Sequence, residues 1–194
     1  MKWITIVVLS VCLSAAAFAK PPVPRAANEF RFVDGSGKPE LLSDYQGKVV
    51  LMQFLYTTCS HCQATARMLS KLQRELGSQG LQVLGVAFNP EAQQGRSALD
   101  EFSKINNVEF PVGAAAPEAV LGYLGISVME RFVVPQIVIV DRRGIVRAQS
   151  DFLGSPELQD EASLRTFLRD LLNKNGSRGT SSLDVGSAHA KSIK

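Results

Sequence analysis

Val49-Val50-Leu51-Met52-Gln53-Phe54-Leu55 is apolar at every position but one and runs through Tyr56-Thr57-Thr58 into Cys59-Ser60-His61-Cys62. A run that does not alternate suits a central strand buried on both faces. Downstream, Ala66, Leu69, Leu72 and Leu76 recur at spacings of three and four, and Gly77 with Gly80 closes the pattern, which predicts a helix. The chain must therefore pass from a buried strand into a helix through a turn that carries two thiols. A helix start presents unpaired backbone N–H groups and the positive end of the dipole, so a cysteine there is stabilised as the attacking thiolate.

The first residues read as a targeting signal. Lys2 supplies the positive charge, Ile4 to Leu13 form an apolar stretch short for a membrane span, and Ala17-Phe18-Ala19 is a small-x-small cleavage site. Residues 1–19 are expected to be removed, with a flexible lead at 20–27 rich in proline (Pro21, Pro22, Pro24), and the mature chain outside the cytoplasm, in the periplasm. No membrane span is expected after cleavage. The 175 residues that remain suit one domain, expected over 28–173, and the Gly, Ser, Lys and Ala of 174–194 lack periodicity and read as a disordered tail. The 21 Lys and Arg against 18 Asp and Glu are scattered, which does not make a nucleic-acid surface.

Cysteine arithmetic sharpens the site. Cys12 leaves with the signal, so Cys59 and Cys62 are the mature chain's pair in a compartment where disulfides persist. Bridging two positions so close restricts the unfolded chain little, so such a bond is a poor staple and is better suited to opening and closing. Zinc would need further ligands, and His189 lies in the expected tail, so no metal site is expected. No flavin, haem or nucleotide motif is evident; the expected redox group is the Cys59–Cys62 disulfide itself.

Around the site, Phe30 to Val33 and Pro39 to Leu42 flank Asp34-Gly35-Ser36-Gly37 as a hairpin, and Ser43 to Lys48 form a loop into the central strand. Leu81 to Phe88 reads as a second buried strand, Glu91 to Asn106 as a helix through Ala98, Leu99, Phe102 and Ile105, and Phe110 to Val112 as a short extended piece. Pro117 opens a helix to Leu124, Phe132 to Val140 reads as a strand with Pro135 near its entry, and Asp141-Arg142-Arg143-Gly144 turns it into Ile145 to Ala148. Leu158 to Leu172 is amphipathic through Leu164, Phe167, Leu168 and Leu171. Phe54, Leu69, Phe88 and Phe102 are core candidates, and Arg142 with Arg143 reads as a solvated turn. Early alternation and a late antiparallel pair predict an α/β fold, a mixed central sheet flanked by helices with an N-terminal β-hairpin extension.

A strand ending in Cys-x-x-Cys at a helix start, a proline heading a later strand and an Asp-x-x-Gly turn after it together resemble the thioredoxin superfamily. The hairpin, the Leu-Ser-Asp-Tyr-x-Gly-Lys loop at 42–48 and the helix after Asn89 resemble its exported TlpA and ResA type thiol-disulfide oxidoreductases and the neighbouring redoxin, AhpC/TSA branch. The resemblance implies the thioredoxin-like three-layer fold, with Cys59 as exposed attacking thiol, Cys62 as resolving thiol and Pro135 as a cis-proline against the disulfide. It further implies that the Val134 backbone presents the substrate, and that the partners are protein thiols and disulfides together with a membrane-bound redox partner. The chain departs from the pattern at Thr58, where tryptophan is common, and at Gln53 and Thr65, where related proteins carry a carboxylate serving the resolving cysteine.

His61 between the thiols reads as stabilising the Cys59 thiolate and hence the reduced form, which raises the reduction potential; its other reading is a solvent-exposed linker residue. Ser60 and Thr58 are further tuning candidates, and Tyr56 or Thr57 could hydrogen-bond to the thiolate. Two alternatives stand beside the oxidoreductase. A thiol peroxidase would place its cysteine after Pro-x-x-x-Thr-x-x, but Tyr56 occupies the threonine position. A copper-delivery module of the SCO type wants cysteines separated by three residues and a distant histidine.

Overall fold

The structure, a computed structural model, describes residues 21–176; the expected signal at 1–19, with Cys12, and His189 in the expected tail lie outside the described residues. The lead is not loose. Arg25–Ala26 forms β1, in register with Val146 and Ile145 of a late strand, and Ala27 N–H donates to the Gly144 carbonyl at 2.8 Å. Prolines that exclude a helix suit an extended edge strand. Pro21 lies over Gly125, where a Cβ would stand 2.6 Å from the proline ring.

The hairpin follows as β2 (Arg31–Asp34) and β3 (Pro39–Leu41), its turn closed by Asp34 Oδ1, which accepts from the Ser36 and Lys38 N–H groups at 2.8 and 2.9 Å. A 3-10 turn at Leu42–Tyr45 delivers the chain into β4 (Val49–Leu55), buried at every residue, and α1 spans Ser60–Leu76. Next come β5 (Leu81–Ala87), α2 (Pro90–Gln93), α3 (Arg96–Ile105), β6 (Val112–Ala114) and α4 (Pro117–Leu124). The chain then forms β7 (Gln136–Val140), β8 (Ile145–Gln149), α5 (Pro156–Gln159) and α6 (Glu161–Gly176).

Three expected elements are divided or shortened. The helix expected over 91–106 is split by Gly95, whose φ of +132° an L residue rarely adopts. Beyond the break α3 turns Ile105 to solvent, 62% exposed, and buries Asn106 in its place, with Asn106 Nδ2 donating to the Phe102 carbonyl at 2.8 Å. The strand expected from Phe132 begins its ladder only at Gln136, because Pro135 has no N–H to give and Val133 N–H is already committed to the Phe152 carbonyl. The late amphipathic stretch is two helices, broken at Asp160, whose backbone is extended and whose carboxylate accepts from Ser163 N–H at 2.8 Å to start α6. That helix continues to Gly176, past the boundary expected at 173.

The eight strands form one sheet in the order β1-β8-β7-β4-β5-β6-β2-β3. β4 pairs in parallel with β5, Val49 opposite Leu81 through Leu55 opposite Ala87, and antiparallel with β7, Val50 opposite Val140 through Phe54 opposite Gln136. The hairpin joins through β6, with Asp34 opposite Gly113, and only glycine fits there: a Cβ would stand 2.4 Å from the Val33 carbonyl oxygen. On one face Val49, Leu51, Leu55, Ile137 and Ile139 pack under Leu69 and Leu72 of α1, Phe102 of α3, and Leu164 and Leu168 of α6. On the other, Val50, Met52, Phe54 and Val138 meet Phe30 and Phe32 of the hairpin segment and Val120 and Leu124 of α4. Each fully buried Leu or Phe contributes about 1.5–3 kcal/mol relative to exposure, so β4, lined on both faces, is firmly anchored, and the site at its end inherits that rigidity.

Candidate functional site

β4 ends at Leu55, and Tyr56 to Cys59 make one turn, Cys59 N–H donating to the Tyr56 carbonyl at 3.2 Å. Cys59 is the N-cap of α1 with extended backbone, φ −81° and ψ 121°, and its sulfur accepts from Cys62 N–H at 3.4 Å. One of the orphan donors of a helix start is thereby spent on Cys59 Sγ. Both thiols are free. Cys59 is half-buried, whereas Cys62 is wholly buried, and burial pushes the Cys62 thiol well up from its ordinary value, opposed in part by hydrogen bonding from the Tyr56 backbone.

The peptide bond between Val134 and Pro135 is cis, and Cys59 Sγ–H points at the Val134 carbonyl at 3.9 Å. The loop that carries them is held by Gln136, fully buried, whose Nε2 donates to the carbonyls of Val133, Asp151 and Phe152 at 2.8, 3.1 and 3.2 Å. Cys59, Cys62, Val134 and Pro135 are thus brought together. His61 is exposed and lines a groove of about 600 Å³ with Val133, Val134, Leu153 and Asp160. Thr58 is also exposed and lines a smaller groove of about 240 Å³ with Gln63, Glu91 and Glu101. Ser60 is exposed on the first turn. Among the described residues no hydrogen bond joins the side chains of Thr58, Ser60 or His61 to either sulfur.

Beneath Cys62 lies Gln53, fully buried, its Nε2 donating to the Cys62 carbonyl at 2.9 Å while its Oε1 has no partner. Thr65 is buried one turn along. Thr57, a candidate to meet the thiolate, gives its hydroxyl instead to Asn89, whose Nδ2 donates to Thr57 Oγ1 at 2.9 Å. In the sequence Asn89 stands only as the residue between the second buried strand and the following helix, and nothing there singles out Gln63 or Gln136. A polar residue closing an apolar strand at the same sheet edge as the thiols was the available signal for Asn89. No group of three or more His, Cys, Asp or Glu side chains among the described residues could hold a metal ion, and no helix among them is long and apolar enough to cross a membrane.

Comparison with known proteins places this geometry. Residues 23–149 match the AhpC/TSA family. The thiol-disulfide oxidoreductase ResA of Geobacillus thermodenitrificans is 24% identical over 125 residues, 64% of this chain and 67% of that protein. The thioredoxin-like protein YneN of Bacillus subtilis is 27% identical over 126 residues, 62% of this chain and 66% of that protein. Among solved structures, a thiol:disulfide interchange protein of the thioredoxin family from Chlorobium tepidum superposes with a TM-score of 0.63 at 22% identity, covering 78% of this chain and 99% of that one. The fold is therefore thioredoxin-like.

Proposed function

The chain belongs to the AhpC/TSA family, as a ResA-like oxidoreductase of the thioredoxin superfamily, and from that premise we propose that it exchanges a Cys59–Cys62 dithiol and disulfide with partner proteins outside the cytoplasm. The observation that carries the reading is the asymmetry of the two thiols: Cys59 is accessible and capped by the helix start, while Cys62 is buried and can be reached by Cys59 but not by a protein partner. Cys59 thiolate attacks a partner disulfide, one partner sulfur leaves as a thiolate and takes a proton, and a mixed disulfide forms. Cys62 then loses its proton and attacks Cys59 Sγ, expelling the second partner sulfur as a thiol. Two electrons pass to the partner and a Cys59–Cys62 disulfide remains; the reverse sequence makes the chain an oxidant.

Val134 forms the rim over which the partner's backbone lies, with Pro135 buried behind it, and exposed Val133 and Leu153 offer apolar contact. The signal-like first nineteen residues support export to the periplasm, where a membrane-bound redox protein would restore the dithiol or disulfide. No cofactor beyond the cysteine pair enters this reading.

The test is covalent capture. Cys62→Ala is expected to trap partners through Cys59 as complexes that dissolve in dithiothreitol. Capture by Cys59→Ala but not by Cys62→Ala would reverse the roles, and catalytic consumption of peroxide with a thiol donor would move the chain to the peroxidase reading. The direction follows from the couple's potential: a value near about −270 mV makes a reductant, one near about −120 mV an oxidant.

A further inference from the structure

Thr57 stands two residues before Cys59, and each of its polar groups is held. Its N–H donates to Asn89 Oδ1 at 3.1 Å, its hydroxyl accepts from Asn89 Nδ2 at 2.9 Å, and its carbonyl accepts from Gln63 Nε2 at 3.0 Å. Asn89 is 2% exposed and 32 residues distant in sequence, at the end of β5, and its Nδ2 also donates to Glu91 Oε2 at 2.6 Å. The Glu91 backbone and then Asn89 hold that carboxyl below its ordinary range, so the far end of the chain of contacts stays ionised. Thr57 is 8% exposed and lies two residues past the end of the rigid strand, while its neighbours Thr58 and Ser60 are exposed. The clamp is thus the last fixed point before the reactive sulfur.

We propose that Asn89 is a positioning residue for the exchange reaction: by gripping Thr57 it sets the turn that keeps Cys59 Sγ on the Cys62 N–H and facing the Val134 carbonyl. Gln63, one turn into α1, grips the same residue from the other side, so the turn is tied to both β5 and α1. Without the clamp the Thr57 backbone N–H is released, the turn gains freedom, and the sulfur spends less time on the helix-start donor that holds it reactive. The inference rests on the reading of Cys59 as attacking thiol.

The measurement is the rate of alkylation of the reduced full chain by iodoacetamide at neutral pH, with the labelled cysteine identified by peptide mapping and with melting temperature followed beside it. Asn89→Ala is expected to slow labelling of Cys59 by about three- to tenfold, the weight of one or two lost hydrogen bonds. Asn89→Asp keeps the acceptor for Thr57 N–H and can accept from the Thr57 hydroxyl, losing only the donor to Glu91, so it is expected to label closer to the parental rate than Asn89→Ala. Thr57→Ser keeps the hydroxyl and is expected to label at the parental rate. A folded Asn89→Ala with a lowered melting temperature and parental labelling would overturn the proposal, since a merely structural residue behaves in that way. Should Asn89→Ala fail to fold, Thr57→Val decides: it loses the hydroxyl contact alone, slower labelling supports the clamp and parental labelling overturns it. Labelling of Cys62 in preference to Cys59 in the parent would sink the assigned thiol roles instead, which separates that failure from this one.

Discussion

His61 has no hydrogen bond to either sulfur among the described residues, so its influence on the thiols must be through the field of its imidazole across the first turn of α1. An interaction of that kind at an exposed helix start is worth about 0.3–1 kcal/mol, which for a two-electron couple is about 6–20 mV. His61→Ala is therefore expected to lower the reduction potential by that amount, read in a glutathione or dithiothreitol buffer; a potential equal to or above the parent's would leave His61 as a groove wall only. Gln53 is a different case. Its amide holds the Cys62 carbonyl, yet its Oε1 is buried without a partner, and an unsatisfied buried acceptor costs about 1–3 kcal/mol. The Cys62 carbonyl, being helical, keeps its intrahelical bond without Gln53. Gln53→Leu should then be as stable as the parent or more so by about 1 kcal/mol in urea unfolding, while resolution of the mixed disulfide by Cys62 slows in stopped-flow exchange. A clear loss of stability would show that the amide matters chiefly to the fold.

Among the elements, the seam between β6 and β2 joins the hairpin to the sheet, and it depends on Gly113 approaching the Val33 backbone. Gly113→Ala puts a methyl 2.4 Å from the Val33 carbonyl oxygen, a backbone clash no rotamer relieves, and is expected to cost about 1–3 kcal/mol in chemical denaturation. The thiols lie at the far side of β5, so alkylation of Cys59 in the folded variant should match the parent. The hairpin itself was legible, because Asp34-Gly35-Ser36-Gly37 carries its own turn chemistry and the flanking residues alternate. β4 was legible from seven residues that leave no solvent face, and α1 from its repeat. What escaped was set by single residues or by tertiary contact. Gly95 and Asp160 each break a helix whose apolar spacing runs on through the break, so periodicity alone could not see the division. The lead looked loose by composition and is ordered only because β8 offers it an edge. At the site the thiols and Pro135 were visible as motifs, whereas the Asn89 clamp joins positions 32 apart and has no local signature.

At the scale of the whole molecule, buried titratable groups tie stability to pH at opposite ends. Asp141, with its side chain 1% exposed, closes the β7 to β8 turn; despite burial, its bonds from Arg147, Ile145 and Arg143 hold its carboxyl below the ordinary range. A depressed folded value means the unfolded chain takes up the proton first, so this contribution is full above about pH 4 and is lost as pH falls toward the folded value. Cys62 works in the other sense. Its thiol is pushed up by burial, so the unfolded chain loses the proton first, near about pH 8.5, and the folded state favours the neutral form. The stability it supplies is whole below that pH and declines above it at up to about 1.4 kcal/mol per pH unit while the folded thiol stays protonated. The reduced chain is thus expected to lose unfolding free energy above about pH 8.5, Cys62 supplying up to one proton of the slope and Tyr45, Tyr56 and Tyr123, whose hydroxyls burial also pushes up, adding theirs toward about pH 10, and Cys62→Ala to lose the Cys62 proton from the slope while keeping the rest. The oxidised chain, with no Cys62 proton to release, should show the same missing proton. Urea unfolding of parent, variant and oxidised chain across that range reads all three, and a variant slope equal to the reduced parent's would mean that Cys62 ionises as readily folded as unfolded. In that event the buried thiol would need no help to resolve a mixed disulfide, and the partition of roles between an accessible attacker and a proton-holding resolver would lose its physical basis.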